Sequence, residues 1–145
     1  MEICTIGFKQ TTAEHFVSRL ADAGVERLLD VRLNNSSQLA GFAKAKDLPY
    51  FLRELTSATY EHQPLLAPTQ ELLDDYKKRK GDWVSYERDF LALMESRRVH
   101  EVLSPAEFER RTVLLCSEAT AEHCHRRLVC EFLAERWPNV RTRHL

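Results

Sequence analysis

The stretch Ile3-Cys4-Thr5-Ile6-Gly7, followed by Thr11-Thr12-Ala13-Glu14-His15-Phe16-Val17-Ser18-Arg19-Leu20 and then Val25 to Leu33, decides the fold. Ile3 to Ile6 reads as a short buried strand. Thr11 with Glu14 three residues later forms a capping box, which opens a helix. Ala13, Phe16, Val17 and Leu20 recur at helical spacing behind it, and Gly24 is a natural stop. Val25 to Leu33 then reads as a second strand, with Leu28, Leu29 and Val31 apolar. Strand, helix and strand within about thirty residues make a βαβ unit with a right-handed crossover and parallel strands.

The same grammar returns near the other end. Thr112-Val113-Leu114-Leu115-Cys116 is a continuous apolar run, as expected of a parallel strand covered on both faces. A helix is predicted from Thr120 to Trp137, with Leu128, Val129, Phe132 and Leu133 on one face. Pro138-Asn139 ends it, and Val140 to His144 can form a last short strand. Between the two halves, helices are predicted after a cap at Asp47 and over Thr69–Lys80, Val84–Arg97 and Pro105–Arg110, with Tyr60-Glu61-His62 as a short extended piece. The expectation is one α/β domain over residues 1–145, three-layered and Rossmann-like. Its sheet is mostly parallel, and a helical insertion separates the second and third core strands.

Composition narrows the class of protein. A chain of 145 residues, 43% hydrophobic and 30% charged, is long enough to bury a core without disulfides and too apolar to be a disordered tail. No run approaches the ~20 apolar residues of a membrane-spanning helix, and nothing at the N-terminus resembles a signal peptide. The expected setting is therefore the cytoplasm, with no membrane partner and no oligomeric state implied. Lysine plus arginine number 21 against 22 acidic residues, a net charge of −1. That balance argues against coating nucleic acid by bulk charge and leaves room for a local basic patch. Four cysteines are too few for a disulfide scaffold. Cys4 and Cys130 fall in apolar patterns and read as small buried hydrophobes.

Ligands of open parallel α/β sheets bind beyond the carboxyl ends of the strands. Polar residues crowd those ends here: Lys9 after the first strand, Asp30, Arg32 and Asn34 at the second, and Cys116-Ser117-Glu118 at the third. Asp30 and Arg32 lie two apart and share a strand face, either as a structural pair or as part of a site. The segment Cys116 to Arg127 runs from a strand end through a loop into a helix, where backbone N–H groups and the helix dipole favour an anion. Arg126 or His125 in a first helical turn opposes that dipole unless a ligand, or the Glu118 carboxylate, answers it. Three chemistries are open there. Cys116 or Cys124 can be an activated thiolate. Arg126 can grip an anion while Glu118 works as acid or base. Cys116, Cys124 and His125 offer soft metal ligands. With no CxxC or HxxxH pair, and with neighbours on a helix pointing ~100° apart, no metal or other cofactor is expected. A phosphatase loop would need arginine six residues after the cysteine, where Glu122 stands.

These residues resemble the family catalogued as domain of unknown function 488. The resemblance rests on Cys4-Thr5-Ile6-Gly7, Asp30-Val31-Arg32, Tyr60-Glu61-His62, Leu114-Leu115-Cys116-Ser117-Glu118 and Cys124-His125-Arg126. The segment Ser37-Gln38-Leu39-Ala40-Gly41-Phe42-Ala43-Lys44 resembles one branch of it. The family commonly follows Ile-Gly with His-Ser, whereas this chain has Phe8-Lys9, so a role for that histidine does not carry over. The resemblance implies an α/β fold and a shared polar site. It adds Tyr60 and His62 to the candidates, and it implies no particular reaction.

The functional expectation is an enzyme acting on an anionic, phosphate-bearing substrate such as a nucleotide or nucleic-acid end. Cys116, Glu118 and Asp30 are its catalytic candidates. Lys9, Arg32, Asn34, Tyr60, His62, Cys124, His125 and Arg126 are its binding candidates. A nucleotide- or anion-binding module without turnover is the alternative, then a structural or interaction domain.

Overall fold

A computed structural model describes residues 1–36 and 40–145; Ser37, Gln38 and Leu39, at the start of the branch-specific segment, lie outside the described residues. The chain forms β1 (Glu2–Ile6), α1 (Ala13–Asp22), β2 (Arg27–Asp30), α2 (Leu48–Leu55), β3 (Thr59–His62), α3 (Gln70–Lys77), α4 (Trp83–Ser96), α5 (Val99–Val102), β4 (Thr112–Leu115), α6 (His125–Arg136) and β5 (Arg141–His144). The strands make one parallel sheet in the order β3-β2-β4-β1-β5. No described helix is long and apolar enough to cross a membrane.

The apolar runs are continuous because the sheet is covered on both faces. Cys4, Ile6, Leu28, Val113 and Leu115 pack with Phe16 and Leu20 of α1 and Leu48 and Leu52 of α2. Their alternate neighbours Ile3, Leu29, Leu114 and Cys116 pack with Phe90 of α4 and Leu128 and Phe132 of α6. The strand period of two thus deals successive residues to two separate cores.

Register sets where the carboxyl ends of the strands lie. Ile6 pairs with Leu115, Asp30 with Leu115, and Asp30 with His62, so β1, β4, β2 and β3 finish flush. The ladder continues one step, Cys116 N–H donating to the Ile6 carbonyl (3.2 Å) and Val31 N–H to the Leu115 carbonyl (3.1 Å). Gly7, Val31 and Cys116 therefore emerge side by side.

Several boundaries differ from those read in the sequence. Thr12, not Thr11, caps α1, its Oγ1 accepting from His15 N–H at 3.1 Å. Asp47 occupies the cap position of α2 but its side chain makes no capping bond. Residues 105–109 are a 3₁₀ turn instead of an α-helix. The extended piece at Tyr60 is a full edge strand paired with β2. The last helix starts at His125, five residues later than predicted, because 117–124 form a loop anchored on β1. Phe8 and Lys9 N–H groups both donate to the Ser117 carbonyl, at 3.4 and 3.0 Å.

Gly7 is the tight point of that anchor. A Cβ there would stand 1.7 Å from the Glu118 carbonyl oxygen, on backbone that cannot swing aside. Gly7→Ala should cost about 2–4 kcal/mol, a fall of roughly 5–15 °C in Tm by thermal denaturation. Gly41→Ala, whose Cβ meets nothing among the described residues, should stay within about 1 kcal/mol. Equal melting of the two variants would overturn the assignment.

Candidate functional site

The flush strand ends open into a cleft of about 630 Å³. Its floor is Cys116, Ser117, Cys124 and His125. Phe8, Arg32 and Phe42 line one side, and Tyr76, Trp83 and Tyr86 from α3 and α4 line the other. The aromatic side is a stack: Trp83 lies 5.2 Å from Tyr86 and 5.0 Å from His123, with rings within 28° of parallel in both pairs. Size and lining are those of a small-molecule pocket.

Cys116 leaves β4 facing the α4/α6 core, and Cys124 closes the loop beneath it. Cys124 is the N-cap of α6 with extended backbone (φ −138°, ψ 138°). Its side chain therefore turns back toward Cys116 instead of following the helical spiral. Cys116 Sγ, Cys124 Sγ and a His125 ring nitrogen all lie within 4.8 Å of one another. This overturns the geometric ground on which the sequence argued that Cys124 and His125 diverge, since Cys124 is not inside the helix.

His125 is held at both ring nitrogens. Nε2 lies 2.7 Å from the Val31 carbonyl, and Nδ1 lies 3.6 Å from Cys116 Sγ. A carbonyl only accepts, so Nε2 carries the hydrogen and a neutral ring offers its Nδ1 lone pair to the thiol. Hydrogen bonding from Cys124, aided by Ser117 and the Arg126 charge, outweighs burial and lowers the Cys116 thiol to about 7. Cys124 shifts up, because it donates to the Cys116 sulfur, is buried and faces that charge. Burial and Glu2 raise Cys4 to about 11, and burial raises Cys130 to about 12. One of four buried thiols is set apart from the rest.

Arg126 is 1% exposed and does not line the cleft. Its Nη1 donates to the Glu118 carbonyl (2.7 Å) and toward Cys124 Sγ (3.5 Å), and its Nε has no partner among the described residues. The misfit of an arginine in a first helical turn is thus answered by a backbone carbonyl and a sulfur. The Glu118 carboxylate goes elsewhere, to Lys9 and Lys77, each 3.0 Å from Oε1. Partial burial works against its charge, but the two lysines hold the carboxyl below its ordinary range.

Asp30 and Arg32 form a buried fork, Nε to Oδ1 at 2.8 Å and Nη2 to Oδ2 at 2.9 Å. Tyr60 Oη donates to Asp30 Oδ2 (2.6 Å), Arg32 Nη2 also reaches the Ala43 carbonyl, and His62 Nε2 meets the Arg32 carbonyl at 3.0 Å. Arg32 Nη1 is buried without a partner among the described residues. Of the sequence candidates, Lys9, Arg32, Asn34, Cys116, Glu118, Cys124 and His125 line the cleft; Asp30, Tyr60, His62 and Arg126 stand behind it. Sequence reading missed Tyr76, Lys77, Trp83, Tyr86 and His123. The aromatic spacing across the α3–α4 turn was the available signal.

The fork carries a stability prediction. Asp30→Ala leaves a guanidinium that is 4% exposed without its carboxylate and should cost about 3–5 kcal/mol. Tyr60→Phe removes one hydrogen bond and should cost about 1–2 kcal/mol in urea denaturation. An Asp30→Ala effect no larger than that of Tyr60→Phe would show that the pair does not brace the loop.

No curated protein and no solved structure matches the chain. One family model does, over a span that includes Asp30-Val31-Arg32, Tyr60-Glu61-His62, Cys116-Ser117-Glu118 and Cys124-His125-Arg126. These are the motifs whose side chains meet at or directly behind the cleft. The matched span, residues 12–133, covers most of the chain, which belongs to the family described as Domain of unknown function DUF488.

Proposed function

We propose that this chain is an enzyme that binds an anionic substrate bearing a flat ring, a nucleotide or a nucleic-acid end, and attacks it with the Cys116 thiolate. His125 takes the thiol proton, a bond from sulfur to the substrate forms as the bond to the leaving oxygen breaks, and His125 returns the proton to that oxygen. The observation that carries this reading is the Cys116–His125 pair at the cleft floor, 3.6 Å apart, with the base steered by the Val31 carbonyl. Nucleophile, base and orienting group are the three parts such chemistry requires. His125 takes the base role that the sequence had given to Glu118 and Asp30. Glu118 is held ionised between two lysines, and Asp30 is fully buried against Arg32.

The binding part of the proposal rests on the walls. A planar ring fits against the Trp83–Tyr86–His123 stack, where stacking is worth ~1–3 kcal/mol per base. The anionic group has Lys9 at the rim and the guanidinium of Arg32, which lines the cleft and whose buried Nη1 lacks a partner among the described residues. The near-neutral total charge favours a small ligand or a chain end over a long polymer.

Limited iodoacetamide labelling of chelator-treated protein at neutral pH, read by mass spectrometry, tests the thiol. Cys116 should alkylate first among the four cysteines. His125→Ala should slow it about tenfold or more, and a nucleoside monophosphate should protect it. Thermal shifts against nucleotides test the cleft separately: ligand at a hundred times its Kd adds about 2.7 kcal/mol, and Trp83→Ala should lower that stabilisation by about 1 kcal/mol or more. Uniformly slow labelling would remove the nucleophile. A retained shift alongside slow labelling would favour the binding module.

A further inference from the structure

We propose that Cys116, Cys124 and His125 are a three-ligand site for zinc, with its fourth coordination position open to the cleft. The proposal uses the same three side chains as the thiol reading but does not depend on catalysis, and it goes beyond that reading by giving the site an ion.

Distance is the first argument. A tetrahedral centre with Zn–S of ~2.3 Å and Zn–N of ~2.0–2.1 Å separates sulfur from nitrogen by about 3.6 Å and sulfur from sulfur by about 3.8 Å. Cys116 Sγ and His125 Nδ1 stand 3.6 Å apart, and all three ligand atoms fall within 4.8 Å. Small side-chain rotations close the remainder.

Direction is the second. Two consecutive residues seldom share an ion on a helix, but Cys124 is an extended cap and His125 is the first helical residue. The break in backbone conformation between them turns both side chains to one centre.

The surroundings supply the third. A ligating histidine ordinarily donates its other nitrogen to a carbonyl or carboxylate, and thiolate ligands accept hydrogen bonds from nearby donors. His125 Nε2 meets the Val31 carbonyl, and Arg126 Nη1 points at Cys124 Sγ. These contacts leave His125 Nδ1 and both sulfurs turned toward one another.

Chemistry selects the ion. Two thiolates and an imidazole suit zinc and exclude magnesium or calcium, which take oxygen ligands. Two deprotonated sulfurs in a site no more than 6% exposed need compensation beyond Arg126, and a divalent ion provides it. Three protein ligands leave one place for water or an anionic ligand group from the cleft that all three line. Binding releases the thiol protons still present and ties up the Cys116 sulfur as a ligand, so zinc and alkylation compete.

Cobalt substitution tests the site in the reduced, chelator-stripped full chain. One equivalent of cobalt(II) should produce a thiolate-to-metal charge-transfer band and intense visible bands of four-coordinate cobalt, both erased by one equivalent of zinc. Cys124→Ser and His125→Ala should weaken binding at least a hundredfold, with circular dichroism confirming that each variant is folded. Cys130→Ala, whose buried thiol is not among the three ligands, should bind as the parent does. Faint bands of six-coordinate cobalt, or intense bands surviving Cys124→Ser, would overturn the site. Labelling separates this proposal from the catalytic one. Fast alkylation of Cys116 in stripped protein, unaffected by zinc, would sink the metal site and leave the nucleophile. Slow alkylation together with the thiolate–cobalt spectrum would do the reverse.

Discussion

The carbonyl oxygen of Glu118 is held from two sides, and the cleft end of the molecule depends on it. Gly7 packs against it so closely that no other residue fits, and Arg126 Nη1 donates to it at 2.7 Å. The first contact ties the loop after β4 to the end of β1. The second ties the same loop to the first turn of α6. Between those two points the chain has little choice but to delay the helix until His125 and leave Cys124 as an extended cap. The convergence of two sulfurs and an imidazole nitrogen follows from that delay. Arg126 is thus a positioning group, and its cost against the helix dipole is offset by a carbonyl, a sulfur and the negative charge it helps Cys116 to hold.

A second constraint works on the opposite wall. Burying an arginine is expensive, and a single carboxylate rarely offsets the whole cost. Asp30 makes a fork with Arg32, and Tyr60 from the edge strand completes the carboxylate. The edge strand β3, mostly exposed along its length, is therefore bonded to the site by more than its ladder. His62 adds a contact to the Arg32 carbonyl. The segment Tyr60-Glu61-His62 then has a physical meaning: it steadies the loop that carries Arg32 and takes no place in the cleft itself.

What could be read from the sequence was whatever depended on burial alone. β1, β2 and β4 are apolar runs because both faces of the sheet are covered, and α1 shows its buried stripe at helical spacing. β3 gave no such signal because Thr59, Glu61 and His62 are exposed, so no apolar stripe marks it. The start of α6 was misread because nothing local distinguishes 120–124 from a helical first turn. The decisive contacts, Gly7 against Glu118 and Lys9 N–H on the Ser117 carbonyl, are more than a hundred residues apart in the chain. The error carried directly into chemistry, since the argument against shared ligation by Cys124 and His125 held only for a helix. The aromatic wall escaped notice for a related reason. Tyr76 and Trp83 lie on two insertion helices, and only the packing of α3 on α4 brings them together.

The charges around the cleft already limit what it can take. Lys9, Lys77 and Arg32 face it, against Glu118 and the buried Asp30. Three cations and two carboxylates leave a single excess positive charge, and the two lysines share one carboxylate oxygen. An incoming anion must therefore draw a lysine away from Glu118 or settle on the Nη1 of Arg32, which lacks a partner among the described residues. The first route exchanges one ion pair for another at the half-exposed rim, where such pairs contribute ~1 kcal/mol or less. The second would need the buried Nη1 to be uncovered, and would then add a charge-assisted bond to a donor that has no partner among the described residues. On the proposed reading, attraction comes from the lysine side, where the donors are exposed. Arg32, the Trp83 stack and Cys116 line the same cleft, so one ligand of the proposed kind could meet all three.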